Sequence, residues 1–84
     1  MNAEEIKSLV QEKLQGCEVF VAGEGSNYQV VVVGDVFVDL NAVKRQQLIY
    51  ACLNEQIASG AIHALTIKTY LPSEWSSAQQ DSSK

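Results

Sequence analysis

One histidine, His63, stands in this chain, between a helix-stopping Ser59-Gly60 and the strand-like run Ala64-Leu65-Thr66-Ile67-Lys68-Thr69-Tyr70. The position predicts a helix-to-strand junction, where a scaffold fixes the backbone and a partner still reaches the ring. Imidazole titrates near neutrality and is the commonest metal-ligating side chain. The same place also suits a structural histidine that satisfies a backbone group. Cys17 and Cys52 are too few for a disulfide framework and lack C-x-x-C spacing, so both read as reduced thiols. Cys52 falls on the apolar face of a predicted helix and reads as core packing. Cys17 falls in a turn just after another helix.

Other groupings point to structure before chemistry. Asp35 and Asp39 read as turn and cap residues ahead of a catalytic carboxylate pair. Gly23-Glu24-Gly25 has the glycines of a phosphate cradle, but a cradle opens a helix and this loop opens a strand. There is no nucleophile elbow and no second histidine for a zinc site. The chain reads as a non-enzyme.

Composition narrows the classes further. A length of 84 residues makes one domain, and an apolar share of 46% is too high for a disordered chain. Ten acidic residues against six basic give a net charge of −4, which opposes nucleic acid, because phosphate neutralisation dominates that affinity. Any DNA contact would fall to the adjacent pair Lys44-Arg45. No apolar run approaches the ~18 residues of a membrane span. The acidic start, Met1-Asn2-Ala3-Glu4-Glu5, lacks the pattern of a secretory signal, so a soluble cytoplasmic protein is expected.

The elements that must position these residues follow from periodicity. Ile6, Leu9, Val10 and Leu14 recur at helical spacing, with Asn2 as cap, Glu5 three residues on, and Gly16 as stop. A strand over residues 18–22, a glycine-rich loop longer than the tightest turns, and a strand over residues 28–33 form an antiparallel hairpin. The four valines Val30 to Val33 imply cover on both faces, from the chain's C-terminal segment or from a partner such as a second copy. After a turn at Gly34-Asp35 and an irregular stretch to Leu40, Asp39 or Asn41 caps a helix over residues 42–58. Val43, Gln47, Ile49, Tyr50, Leu53 and Ile57 mark its inward side, with Lys44 and Arg45 solvated. The third strand follows His63, and Pro72 opens a short helix whose Trp75 packs back onto the sheet. The domain covers residues 1–76, and residues 77–84 read as a disordered polar tail. The order α-β-β-α-β-α predicts an α+β fold, a three-stranded mixed sheet with helices on one face.

Two stretches are more distinctive than these patterns. They are Val43-Lys-Arg-Gln-Gln-Leu-Ile-Tyr50 and Gly60-Ala-Ile-His63 on through Tyr70-Leu-Pro-Ser-Glu-Trp75. With Gly23-Glu-Gly-Ser-Asn-Tyr-Gln-Val30 and Val33-Gly34, they closely resemble the BolA family, in its IbaG-like branch of bacterial acid-stress proteins. The resemblance covers roughly residues 3–76 without large gaps. It implies a fold like the type II KH domain. It also implies that His63 matches the family's C-terminal histidine, a ligand to a 2Fe–2S cluster shared with a monothiol glutaredoxin and not held by the isolated chain. The family's second ligand is a histidine or cysteine in the hairpin loop. Here Asn27 stands at the histidine position and Ser26 where some members carry cysteine, and neither is a good iron ligand. Cys17 is the remaining candidate thiol. The resemblance therefore implies an adapter in cluster transfer or iron homeostasis, and the alternative is a small DNA-contacting regulator acting through Lys44 and Arg45. A Gly-x-x-Gly loop of the nucleic-acid-binding KH type is absent from the sequence.

Overall fold

The computed structural model describes residues 2–82. Helix α1 spans Ala3–Lys13 and is capped by Asn2, whose Oδ1 accepts the Glu5 amide at 2.9 Å. Its apolar stripe buries Ile6 and Val10 completely. Strands β1 (Glu18–Glu24) and β2 (Asn27–Val33) pair antiparallel with Glu24 opposite Asn27. That leaves Gly25-Ser26 as a two-residue turn, tighter than the longer loop expected. Gly25 holds φ at 67° while Ser26 does not share the positive sign, so glycine occupies the first central position as a type II′ hairpin requires.

Residues 35–40 hold more order than an irregular stretch. Asp35–Phe37 forms a 3₁₀ turn that drives Phe37 into the core, where it is fully buried. Asp39 adopts φ 65°, and the residue that caps the next helix is Asn41, with Oδ1 2.9 Å from the Lys44 amide.

The long helix expected over residues 42–58 is two, α2 (Ala42–Cys52) and α3 (Asn54–Ala58). No glycine or proline marks the break. At the bend Leu53 is fully buried and its amide turns to the Tyr50 carbonyl, a tighter i−3 bond. The inward face also differs from expectation. Ile49, Cys52 and Leu53 are buried, whereas Val43 is 65% and Tyr50 43% exposed and Gln47 faces water. The stripe runs through Arg45, Leu48-Ile49 and Cys52-Leu53, a helical repeat that starts on an arginine. Arg45 packs its guanidinium 5.8 Å from the Phe37 ring centre and donates through Nε to the Leu40 carbonyl at 3.0 Å. A long basic side chain can bury its stem and still satisfy its head, which hydrophobic patterning scores as polar.

Strand β3 (Ala64–Tyr70) lies beside β2 and parallel to it, from Asn27 opposite Ala64 to Val33 opposite Tyr70. The order β1-β2-β3 makes the mixed sheet expected. Alternation places Val19, Tyr28, Val30, Val32, Leu65 and Ile67 on one face, within a core cluster that also takes in residues of α1 and α2. Three of the four valines are buried by the chain itself, Val33 beside a depression walled by Pro72 and Trp75.

Helix α4 spans Pro72–Ser82 and continues past residue 76, where the disordered tail was expected to begin. Residues 83 and 84 of that tail lie outside the described residues. Helix nucleation is the costly step and each further residue adds one bond. Here the first turn is well tied: the Leu71 amide donates to Glu74 Oε1 at 2.7 Å, and the same oxygen takes Arg45 Nη1 at 3.1 Å. This is the return half of a capping box. Trp75 packs between Phe20 and Tyr70, with ring centres 5.5 and 5.2 Å away, on the face of β1 and β3 opposite Val19 and Ile67. The cover is therefore split. Helices α1 and α2 lie on one side of the sheet, and α4 sets its indole against the other. Among the described residues no helix is long and apolar enough to cross a membrane.

Candidate functional site

The β1–β2 turn and the start of β3 meet at one end of the sheet. The Ser26 carbonyl accepts two amides, His63 at 2.8 Å and Ala64 at 3.2 Å. His63 is thereby fastened by its backbone to the hairpin tip, while its side chain is exposed. On the other side the chain arrives from α3, which Gly60 closes with φ 85° and an amide bonded to the Ile57 carbonyl at 3.2 Å. A methyl at Gly60 would lie 3.8 Å from His63 Nε2, so the ring stands over this glycine bend.

The tip is also tied from inside the core. Tyr28 is 5% exposed and its hydroxyl donates to the Gly25 carbonyl at 2.8 Å. Beside it, Ala22, Gly23, Asn27, Gln29, Ala64 and Thr66 line a shallow depression of about 310 Å³ on the open face of the sheet. A larger depression, about 490 Å³, runs along α1 and reaches Gln56, but its lining holds neither imidazole nor thiol.

The structure joins some of the residues singled out by sequence and separates others. His63, Ser26 and Asn27 are neighbours, Asn27 being the register partner of Ala64. Cys17 lies at the far end. It precedes Glu18, which pairs with Val33, whereas His63 adjoins Asn27, so the length of β2 separates them, roughly 20 Å at ~3.3 Å per residue. Cys17 is therefore no second ligand beside His63. It packs against Gly34 instead, and burial first, then the Asp35 charge, then Cys52 push its thiol pKa up. Cys52 is buried, as its helical position implies, and burial raises its pKa as well, opposed by Lys13. No group of three or more histidine, cysteine or acidic side chains capable of holding a metal occurs among the described residues.

The basic pair is divided in the same way. Lys44 is exposed, but Arg45 is only 16% exposed in its side chain and is spent on Leu40, Phe37 and Glu74. The first turn of α2 already has an internal partner in Asn41. What sequence reasoning missed at the candidate site is Tyr28. It reads as one more strand residue, and only the turn geometry shows its hydroxyl reaching back three residues.

Residues 6–74 match the family described as BolA-like protein. The chain is 45% identical over 75 residues to the acid stress protein IbaG of Escherichia coli K12, covering 89% of each. Among solved structures, a bolA homologue from Coxiella burnetii superposes with a TM-score of 0.80 at 31% identity, covering 90% of this chain and 97% of that one. BolA1 from Arabidopsis thaliana gives 0.75 at 30% identity, with 88% and 96% covered.

Proposed function

The chain belongs to the BolA-like family, and from that premise we propose that it is a cytoplasmic adapter that docks onto a monothiol glutaredoxin. In this reading it takes part in 2Fe–2S cluster transfer or iron homeostasis under acid stress, with His63 as its ligand to the shared cluster. The observation that carries the reading is the placement of His63: an exposed imidazole whose backbone is clamped to the hairpin tip by the Ser26 carbonyl. A bridging ligand has to be reachable and held by a rigid element.

One imidazole nitrogen suits one coordination position on an iron whose other ligands come from a partner. Ser26 and Asn27, the polar side chains adjoining it, are poor iron donors, and Cys17 is at the other end of the sheet. The residues fit a shared site and do not fit a closed one. Imidazole in place of thiolate raises the reduction potential of an iron–sulfur centre. The remaining work falls to the chain itself: presenting His63, and offering the open sheet face beside Asn27 and Thr66 as a contact surface.

The DNA-contacting alternative loses half of its basic pair, since Arg45 is committed within the fold. A net charge of −4 adds to that.

Co-expression with a monothiol glutaredoxin should give a complex with visible iron–sulfur absorption. His63→Ala should bleach that absorption or shorten its lifetime, and nitrogen couplings in the spectrum of the reduced cluster should vanish. Unchanged absorption and couplings in His63→Ala would remove His63 from the site.

A further inference from the structure

We infer that the Tyr28 hydroxyl is a positioning group for His63, an inference that rests on the adapter reading for its functional meaning. The Tyr28 side chain is rooted in the core at 5% exposure, and its hydroxyl holds the Gly25 carbonyl at 2.8 Å. The next carbonyl along the chain, that of Ser26, holds the His63 and Ala64 amides at 2.8 and 3.2 Å. The hairpin tip is thus a two-residue link between a buried anchor and the candidate ligand. Gly25 and Ser26 have no ladder partners of their own, since pairing between β1 and β2 ends at Glu24 and Asn27. Glycine is conformationally permissive, so a bond from a buried side chain to its carbonyl narrows what the turn can adopt. Tyr28 ties it from below, and Ser26 passes that order to β3.

A tyrosine buried this far could serve packing alone. Tyr28→Phe separates the two, because it keeps the ring and removes the hydroxyl. Amide hydrogen exchange, read by NMR on the isolated chain, is the first measurement. If the hydroxyl positions the tip, exchange at His63 and Ala64 accelerates by about five- to tenfold, the worth of one hydrogen bond, while Val30 and Val32 stay within about twofold. In the glutaredoxin complex the cluster lifetime shortens by a similar factor. Exchange that is unchanged, or that accelerates equally at all four amides, overturns the inference and leaves Tyr28 a packing residue. The exchange comparison needs no partner. A wild-type chain that forms no cluster-bearing complex therefore counts against the adapter reading, and exchange still decides the role of Tyr28.

Discussion

Gly34→Ala should destabilise the domain, and Cys17→Ala should abolish the effect. Gly34 is buried where β2 ends, and its amide donates to the Tyr70 carbonyl at 3.0 Å. Its φ of −179° is extended backbone that any residue adopts, so the cost is one of space. A methyl there would run into Cys17 Sγ, with Cys17 Cβ at 3.2 Å and Cα at 3.4 Å behind it. Overpacking of this kind costs about 1–3 kcal/mol. Alanine returns about 0.4–1 kcal/mol by restricting the unfolded chain. The difference spans about 0–2.6 kcal/mol, and a methyl that overlaps the sulfur belongs in its upper part, about 1–2 kcal/mol. For a domain of this size that is a fall in Tm of about 4–16 °C, at ~4–8 °C per kcal/mol. With Cys17→Ala in the background the sulfur is gone; the contact with Cβ at 3.2 Å remains and is offset by the gain from restricting the unfolded chain, so the same methyl should be neutral to within about 0.5 kcal/mol. Urea and thermal unfolding of the wild type, both single variants and the double variant give the coupling directly. An equal cost of Gly34→Ala in both backgrounds refutes the packing account of Cys17. The same variants bear on function. Cys17→Ala should leave the cluster absorption of the glutaredoxin complex intact, and its loss would show that the thiol reaches the site.

Asn27→His would place a second imidazole beside His63 and should lengthen the lifetime of the cluster in the complex, and a lifetime no longer than wild type would show that the tip does not face the iron. The Glu74 carboxyl is held below its ordinary value, first by the Leu71 amide and then by Arg45. A lowered folded pKa means that its stabilisation of α4 is complete above the unfolded carboxylate value and is lost as pH falls through the lowered one. Fluorescence of Trp75, the only tryptophan, should follow that acid transition in the wild type and be flat over it in Glu74→Gln; superimposable titrations would refute this role of Glu74. Both thiols should react slowly with a disulfide reagent at neutral pH because their pKa values are raised. The half-buried Cys17 should react ahead of Cys52, and mass spectrometry finding Cys52 labelled first would contradict its burial. Phe37→Ala removes a fully buried ring at about 3–5 kcal/mol, a large part of the ~4–13 kcal/mol expected for this length, so urea unfolding should show a much lower midpoint or no folded baseline; a midpoint close to wild type would contradict the packing of Phe37.

Legibility followed the range of the interactions concerned. Helix α1 and its Asn2 cap, the hairpin and β3 were readable because each rests on contacts within a few residues, where periodicity and cap chemistry act. Arg45 was misread because its partners, Phe37, Leu40 and Glu74, come from separate segments. The break at Leu53 had no local signal, and Phe37 sat in a stretch too short to carry a period. Helix α4 ran past residue 76 because its nucleus was fixed by Glu74 and Trp75, one reaching Arg45 and the other Phe20, which the polar composition of the tail does not encode.

By itself the sequence determined the family and the order of the three strands among the main helices, and it singled out His63 and Asn27 as residues to be placed, since these are properties of residue types in a row. Only the tertiary structure decided which of them meet. Parallel pairing of β3 with β2 sets His63 against the Ser26 carbonyl and leaves Cys17 a strand-length away. The physical reason is register: a residue's place in a sheet is fixed by hydrogen bonds to a strand that can be distant in sequence.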